Sequence, residues 1–258
     1  MPRIKNLSSR DVLRAPFPSL LVGSFHTTSS ALHQIRFTGR LRRWTNFAHN
    51  AIAHMSSNIR WSRLTLDVAM TGPGVELSVS REQLVVGDEN GVQGRLNERL
   101  CRPVTSCLQV QGHNLRCGDF KAGNSAAQAA RVPDTVMLNA NAAIKVVGEV
   151  KTPWARTHVK MLSRGVEMFE EGNEGRLRHI LGQVSRYMQD QGVCYAFLST
   201  YNETMFLRKY SPVAIYDDEY DTGSGKITTR QGLFYLALRA EFGPAFATNV
   251  PGNQQWTS

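Results

Sequence analysis

Two short runs in the middle of the chain constrain its fold more than any other feature. Val132 to Leu138 and Ala143 to Val150 are rich in strand-forming side chains, and little but the polar stretch Asn139-Ala140-Asn141 separates them. β-Branched residues favour extended backbone, and so short a connection predicts two paired strands. Alternate residues of a strand share a face. Glu149 and Lys151 therefore point the same way near the end of the second strand. Asp134 on the first strand can lie beside them. Two carboxylates and an ammonium then converge among apolar neighbours (Val146, Val147, Gly148 and Val150), where charged groups need partners.

The flanking sequence supplies helices and more strands. Val92, Leu96, Leu100, Val104 and Leu108 recur every four residues, which predicts a helix that Pro103 kinks or restarts. A second helix is expected from about Glu174 to Gln189, with Asn173 as N-cap and Gly192 as stop. A third spans Thr229 to Phe242. Val193 to Thr200 reads as a buried strand and Thr204 to Lys209 as its neighbour across Tyr201-Asn202-Glu203. Val213 to Tyr216 is expected as an edge, and Asp217 to Asp221 as a solvated loop. Leu64 to Ala69 and Val75 to Val79 read as strands about the turn Thr71-Gly72-Pro73-Gly74. Gly118 to Arg131 reads as irregular. The order of elements implies an α/β fold, with a mixed central β-sheet flanked by helices.

Charge divides the chain. Up to Arg63 there are ten basic residues and one acid, Asp11, an excess equal to the whole formal charge of +9. The remainder is neutral. A uniformly basic nucleic-acid-binding body is therefore excluded, and attraction to phosphate must come from residues 1–63 or from local patches. That segment has three open readings: a mitochondrial presequence, a basic arm, or a structured helical extension. The expected division is 1–63 as the extension, 64–245 as the main domain and 246–258 as a tail. The four cysteines form no CxxC pair and have no zinc-site spacing, so they read as reduced thiols, Cys194 in a buried strand. No run of about 18 apolar residues predicts a membrane span. The N-terminus lacks the apolar core of a secretory signal. An intracellular location, nucleus or cytoplasm, is expected, or the mitochondrion if residues 1–63 are a presequence.

The converging residues define a chemistry. Hard carboxylate oxygens suit Mg²⁺, which keeps water and can bind a phosphate; Mn²⁺ can take the same place. A neighbouring ammonium can orient that water or neutralise developing charge. The sequence Arg131-Val132-Pro133-Asp134, followed by Val147-Gly148-Glu149-Val150-Lys151, resembles the PD-(D/E)xK signature of restriction-endonuclease-like nucleases. Gln183-Val184-Ser185-Arg186-Tyr187 resembles the QxxxY motif of the RecB-like members. Gly148 to Trp154, Leu181 to Met188, Tyr195 to Tyr201 and Phe206-Leu207-Arg208 are similar to a fungal group. Its nuclease-like domain is sometimes joined to a protein-kinase-like domain, and spore-killer proteins are similar in that arrangement. The likeness covers about Val92 to Phe242.

The resemblance implies a restriction-endonuclease-like core and a metal-dependent nuclease, acting on DNA. Asp134 and Glu149 would bind Mg²⁺, Lys151 would orient water, and Gln183 with Tyr187 would support the site. Glu98 fits the further acid that such proteins carry on the first core helix. The alternative is an inactive nuclease-like scaffold serving as a binding, effector or toxin protein. Asp119-Phe120-Lys121 is a second D-x-K match without a partner acid. His158 and His179 read as surface or core residues before they read as catalysts. Trp154 could stack on a base or simply pack. Lys160, Arg164, Arg176, Arg178 and Arg186 would favour phosphate binding only as a cluster.

Overall fold

The computed structural model describes residues 3–16, 18–28, 34–56, 61–71, 84–124, 131–155, 158, 162, 164–172, 176–211, 214–218 and 227–243. The expected strand at 75–79, the turn residues 72–74, Asn173, Lys160 and the tail 246–258 lie outside them.

The chain begins β1 (Arg3–Ser8), α1 (Ser9–Arg14), β2 (Leu21–Val22), β3 (Arg40–Arg43), α2 (Phe47–Ser56), β4 (Thr65–Thr71) and β5 (Val85–Val86). It continues α3 (Glu89–Leu96), α4 (Arg102–Val110), β6 (Arg116–Gly118), β7 (Thr135–Leu138), β8 (Ile144–Val150) and α5 (Gly165–Glu170). It ends α6 (Leu177–Asp190), β9 (Tyr195–Ser199), β10 (Thr204–Ser211), β11 (Ala214–Asp218) and α7 (Thr229–Phe242). No helix among the described residues is long and apolar enough to cross a membrane.

Seven strands make one mixed sheet in the order β3-β11-β10-β9-β8-β7-β6, with β7 to β11 as its centre. The expected hairpin is present. β7 and β8 pair antiparallel, with Thr135 opposite Gly148 and Val136 opposite Val147. Asn139 closes the turn, its side chain accepting from the amides of Asn141 at 3.0 Å and Ala143 at 2.9 Å. β8 and β9 are parallel, so the chain must cross over between them, and α5 and α6 make that crossover. Along β8, Val146 and Val150 enter a core shared with α2, α4 and α7, while Val147 enters one shared with α6. Both faces of the sheet are therefore covered, as an α/β fold requires.

The Val92 to Leu108 stripe forms one rod with an irregular middle. Residues Asn97–Cys101 between α3 and α4 widen to π geometry, and Pro103 stands in the first turn of α4. Proline has no amide to give the Arg99 carbonyl. Arg230 Nε takes that carbonyl instead, at 2.9 Å. The helix expected at Glu174 starts at Leu177 and ends as foreseen at Gly192, whose φ is +62°. The Val193 amide bonds back to Met188 O at 3.0 Å, the pattern of a glycine-terminated helix. α7 has the expected bounds, and Thr228 and Gln231 form a reciprocal capping box at its start. Cys194 stands just before β9 and is only half-buried, so it is not the buried strand residue expected.

The N-terminal segment does not stand apart from the domain. β1 pairs antiparallel with β4, and β3 pairs parallel with β11, so β3 rather than β11 is the sheet edge. Leu13, Phe37, Phe47 and Ala51 are fully buried. The Phe37 amide donates to Arg178 O at 2.8 Å, and Arg178 returns a bond to Phe37 O at 2.9 Å. At Gly182 a Cβ would stand 2.6 Å from Ile35 O, so only glycine lets α6 approach this backbone. The described part of residues 1–63 carries three strands and two helices.

Candidate metal centre

The sheet sets the geometry. Lys151 follows the last residue of β8, and its amide donates to Ser199 O at 2.8 Å. The ladder with β9 thus extends past Val150 and keeps the Lys151 side chain on the face of Glu149. Asp134 precedes β7. Its Oδ2 accepts from the Val150 amide at 2.8 Å, which ties it to the end of β8. Gln93 Nε2 donates to the Asp134 carbonyl and holds α3 against this corner.

The third acid is Glu89. It is the first residue of α3, behind the N-cap Asp88, whose carboxylate accepts from the Gly91 amide at 2.8 Å. One carboxylate oxygen each of Glu89, Asp134 and Glu149 lie within 4.8 Å of one another. Lys151 Nζ donates to Glu149 Oε1 at 2.6 Å and to Glu89 Oε1 at 3.1 Å. Glu149 is 1% exposed and Lys151 5%. Glu149 Oε2 is buried and has no hydrogen-bond partner among the described residues, although the Glu149 carboxyl is within hydrogen-bonding reach of Asp134. A buried carboxylate oxygen left bare is costly, and a cation is one natural partner for it.

Burial raises the Glu149 carboxyl to about 8, against the opposing pull of Lys151 and with the Asp134 charge adding to the rise. Burial raises Asp134 as well, opposed by the Val150 amide and by Lys151. Burial works to lower Lys151, but Glu149 and Glu89 outweigh it and hold the ammonium above the usual lysine range.

Gln183 and Tyr187 lie one turn apart on α6, and Gln183 Nε2 donates to the Tyr187 hydroxyl at 2.8 Å. Tyr187 is buried. Its hydroxyl is raised above the ordinary tyrosine range by burial and then by the charge of Glu149, with Asp134 adding. Asp134, Glu149, Lys151 and the Gln183–Tyr187 pair are thus brought to one region.

Glu98 is not brought into the acid group. It bonds Arg95 and lies 3.8 Å from Arg99 within the same helical rod. The acid from that rod is Glu89, nine residues earlier. A signal for it was present: Asp88-Glu89 opens the helix, where an N-cap and first-turn carboxylates belong. Asp119 to Lys121 form the start of a 3₁₀ turn and not a strand, so the second D-x-K match lacks the strand alternation of the first.

Among the described residues the basic candidates do not form a cluster on this site. Arg164 pairs with Glu167 and Glu171, Arg186 with Asp190, and Arg178 lies over the Phe169 ring. Arg176 is exposed at the start of α6, and His179 is half-buried on it. His158 is buried, with Nδ1 2.9 Å from Thr152 O, as befits a core histidine; burial, then Lys151, disfavours its charged form. Trp154 packs against the N-terminal segment, its Nε1 donating to Thr27 O at 2.7 Å.

Compared with known protein families, curated proteins and solved structures, the chain matches none.

Proposed function

We propose that this chain is a divalent-metal-dependent nuclease with a restriction-endonuclease-like core, hydrolysing phosphodiester bonds of DNA. The observation that carries this reading is the bare, buried Glu149 Oε2 in a trio of acids beside a buried lysine. Glu89, Asp134 and Glu149 offer only hard oxygen donors, which suit Mg²⁺ or Mn²⁺. A bound ion would supply positive charge to the phosphate oxygens and acidify water. Lys151 Nζ, with its charge secured by the two glutamates, orients the attacking water or offsets charge that develops on phosphate. Gln183 and Tyr187 brace the α6 side of the site. The hairpin, the crossover through α6 and the parallel β9 support the core expected from the PD-(D/E)xK resemblance.

The Lys151–Glu149 pair also suits a second reading, a nuclease-like scaffold that binds without cutting. The pair balances one charge with another but leaves Glu149 Oε2 bare, and the metal reading accounts for that atom as well. Nicking of supercoiled DNA separates the two. The expected result is cleavage with Mg²⁺ or Mn²⁺, stopped by EDTA and abolished in Glu149→Ala and Lys151→Ala. Cleavage that survives both substitutions rules out this centre. DNA binding without cleavage under any of these conditions favours the scaffold.

A further inference from the structure

A cleft of about 620 Å³, in the size range of ligand sites, is lined at one end by Asp88, the residue before Glu89. One wall is Phe25, His26 and Thr27, and the other runs from Val85 through Asp88. The walls are tied together. The Gly23 amide bonds Val86 O at 2.9 Å and the Thr27 amide bonds Gly87 O at 2.8 Å, alongside the parallel pairing of β2 with β5. The next residue after Asp88 is Glu89, a member of the acid trio. One dipeptide therefore belongs to both the cleft and the candidate metal centre.

Among the described residues the cleft has no lysine or arginine in its lining, so what is described of it is not built for phosphate. The one carboxylate among its described lining residues, Asp88, is committed to the Gly91 amide. What it offers is ring and aliphatic surface. Phe25 is 99% exposed and Val85 67%, although the segment that carries Phe25 is hydrogen-bonded on both sides of it. The His26 ring meets the Trp154 ring edge to face at 5.4 Å, which carries the aromatic surface to within three residues of Lys151. Leu21, Val22 and Leu84 complete an exposed apolar strip; with Phe25 and Val85 they are five of the nine large exposed hydrophobics among the described residues. A strip so concentrated marks a binding surface.

Given a phosphodiester at the acids, the part of a nucleic acid that suits an aromatic cleft with no cation among its described residues is the face of a base. Bases inside a duplex are stacked and have no free face. We propose that this cleft takes a base of an unpaired strand, stacked on Phe25, next to the phosphate held at the acid trio. The substrate class is then single-stranded or locally unpaired nucleic acid. This rests on the nuclease reading for the phosphate, but the base contact can be measured without cleavage.

The experiment is fluorescence anisotropy of the full chain with a labelled oligodeoxynucleotide, single-stranded or annealed to its complement, with Ca²⁺ in place of Mg²⁺ to limit turnover. A second probe carries 2-aminopurine, whose emission is quenched by stacking. Phe25→Ala removes a ring that has no packing to lose, and an unchanged melting temperature checks that. The expected result is single-strand affinity about tenfold weaker in Phe25→Ala, with less quenching, and recovery in Phe25→Trp. Duplex affinity is weaker than that of the single strand and indifferent to the substitution. Single-strand binding and quenching unchanged in Phe25→Ala overturn the proposal, and so does an equal loss for duplex. A dimer that becomes a monomer in Phe25→Ala, with oligonucleotide binding intact, overturns it in favour of a protein contact. Cleavage that needs Glu149 but ignores Phe25 removes the base site and keeps the nuclease. Phe25-dependent stacking in a chain that never cleaves does the reverse.

Discussion

The Lys151 ammonium lies 2.6 Å from the Glu149 carboxylate, and both side chains are almost wholly buried. Neither group can turn to water if the other is lost, and Glu149 without Lys151 must hold a proton or stay buried as an unpaired charge. Breaking a buried pair from one side typically costs about 3–5 kcal/mol, whereas removing both partners together costs much less. Lys151→Met is therefore expected to destabilise the fold by a few kcal/mol, about 3 by that scale. The double variant Lys151→Met/Glu149→Gln is expected to recover much of the loss. Urea unfolding of the native chain, Lys151→Met, Glu149→Gln and the double variant measures the coupling, and strictly additive losses would contradict a shared, buried pair.

The same burial would give a bound divalent ion a pH dependence. The Glu149 carboxyl sits at about 8 in the folded chain, against an ordinary 4.5. A carboxyl raised by folding contributes stability that is fully present below its unfolded pKa. That contribution is lost as pH rises from about 4.5 through about 8. A divalent ion competes with this proton, so its binding strengthens over the same window. Thermal unfolding with millimolar Mg²⁺ is expected to show a larger rise in melting temperature at pH 8.5 than at pH 6. An equal or smaller rise at the higher pH speaks against Glu149 as a ligand.

Glu89 and Glu98 offer a direct comparison, since both lie on the α3–α4 rod. Glu89→Gln is expected to weaken Mn²⁺ binding at least tenfold and to cut cleavage by a similar factor, because its oxygen belongs to the acid trio. Glu98→Gln, engaged with Arg95 and Arg99, is expected to leave both within about twofold. The reverse order would return the third acid to Glu98.

Removal of residues 1–63 is expected to prevent folding of the rest. The cut takes away β3, one edge of the main sheet, and the fully buried Leu13, Phe37 and Phe47. Each such side chain contributes about 1.5–3 kcal/mol on burial, and net stabilities are only about 5–15 kcal/mol. Circular dichroism and solubility of a chain starting at residue 64 test this. A soluble, cooperatively melting product would restore the segment to the status of an appendage.

Much of the central architecture was legible because it is written in local signals. The β7–β8 hairpin followed from β-branched runs about an asparagine turn, α6 from an apolar stripe and Gly192, and α7 from a helical run that ends before Gly243-Pro244. Alternation alone put Glu149 and Lys151 on one face. What escaped is tertiary. β3 is Arg-Leu-Arg-Arg, with only Leu41 buried, and carries no strand signature of its own; β11 makes it a strand by pairing with it. Glu89 escaped because the helical stripe was read for its apolar face, while the acid acts from the helix's first residue, before that face is established. The short β2–β5 pairing depends on contact between segments about sixty residues apart, which no local pattern encodes.

The most direct measurement is a calorimetric titration of Mn²⁺ into the full chain and into Glu149→Gln at pH 8. The expected result is saturable binding to the native chain and its loss in the variant, with both proteins equally folded by circular dichroism. Equal binding by the two, or none by the native chain, would contradict a metal centre built on Glu89, Asp134 and Glu149.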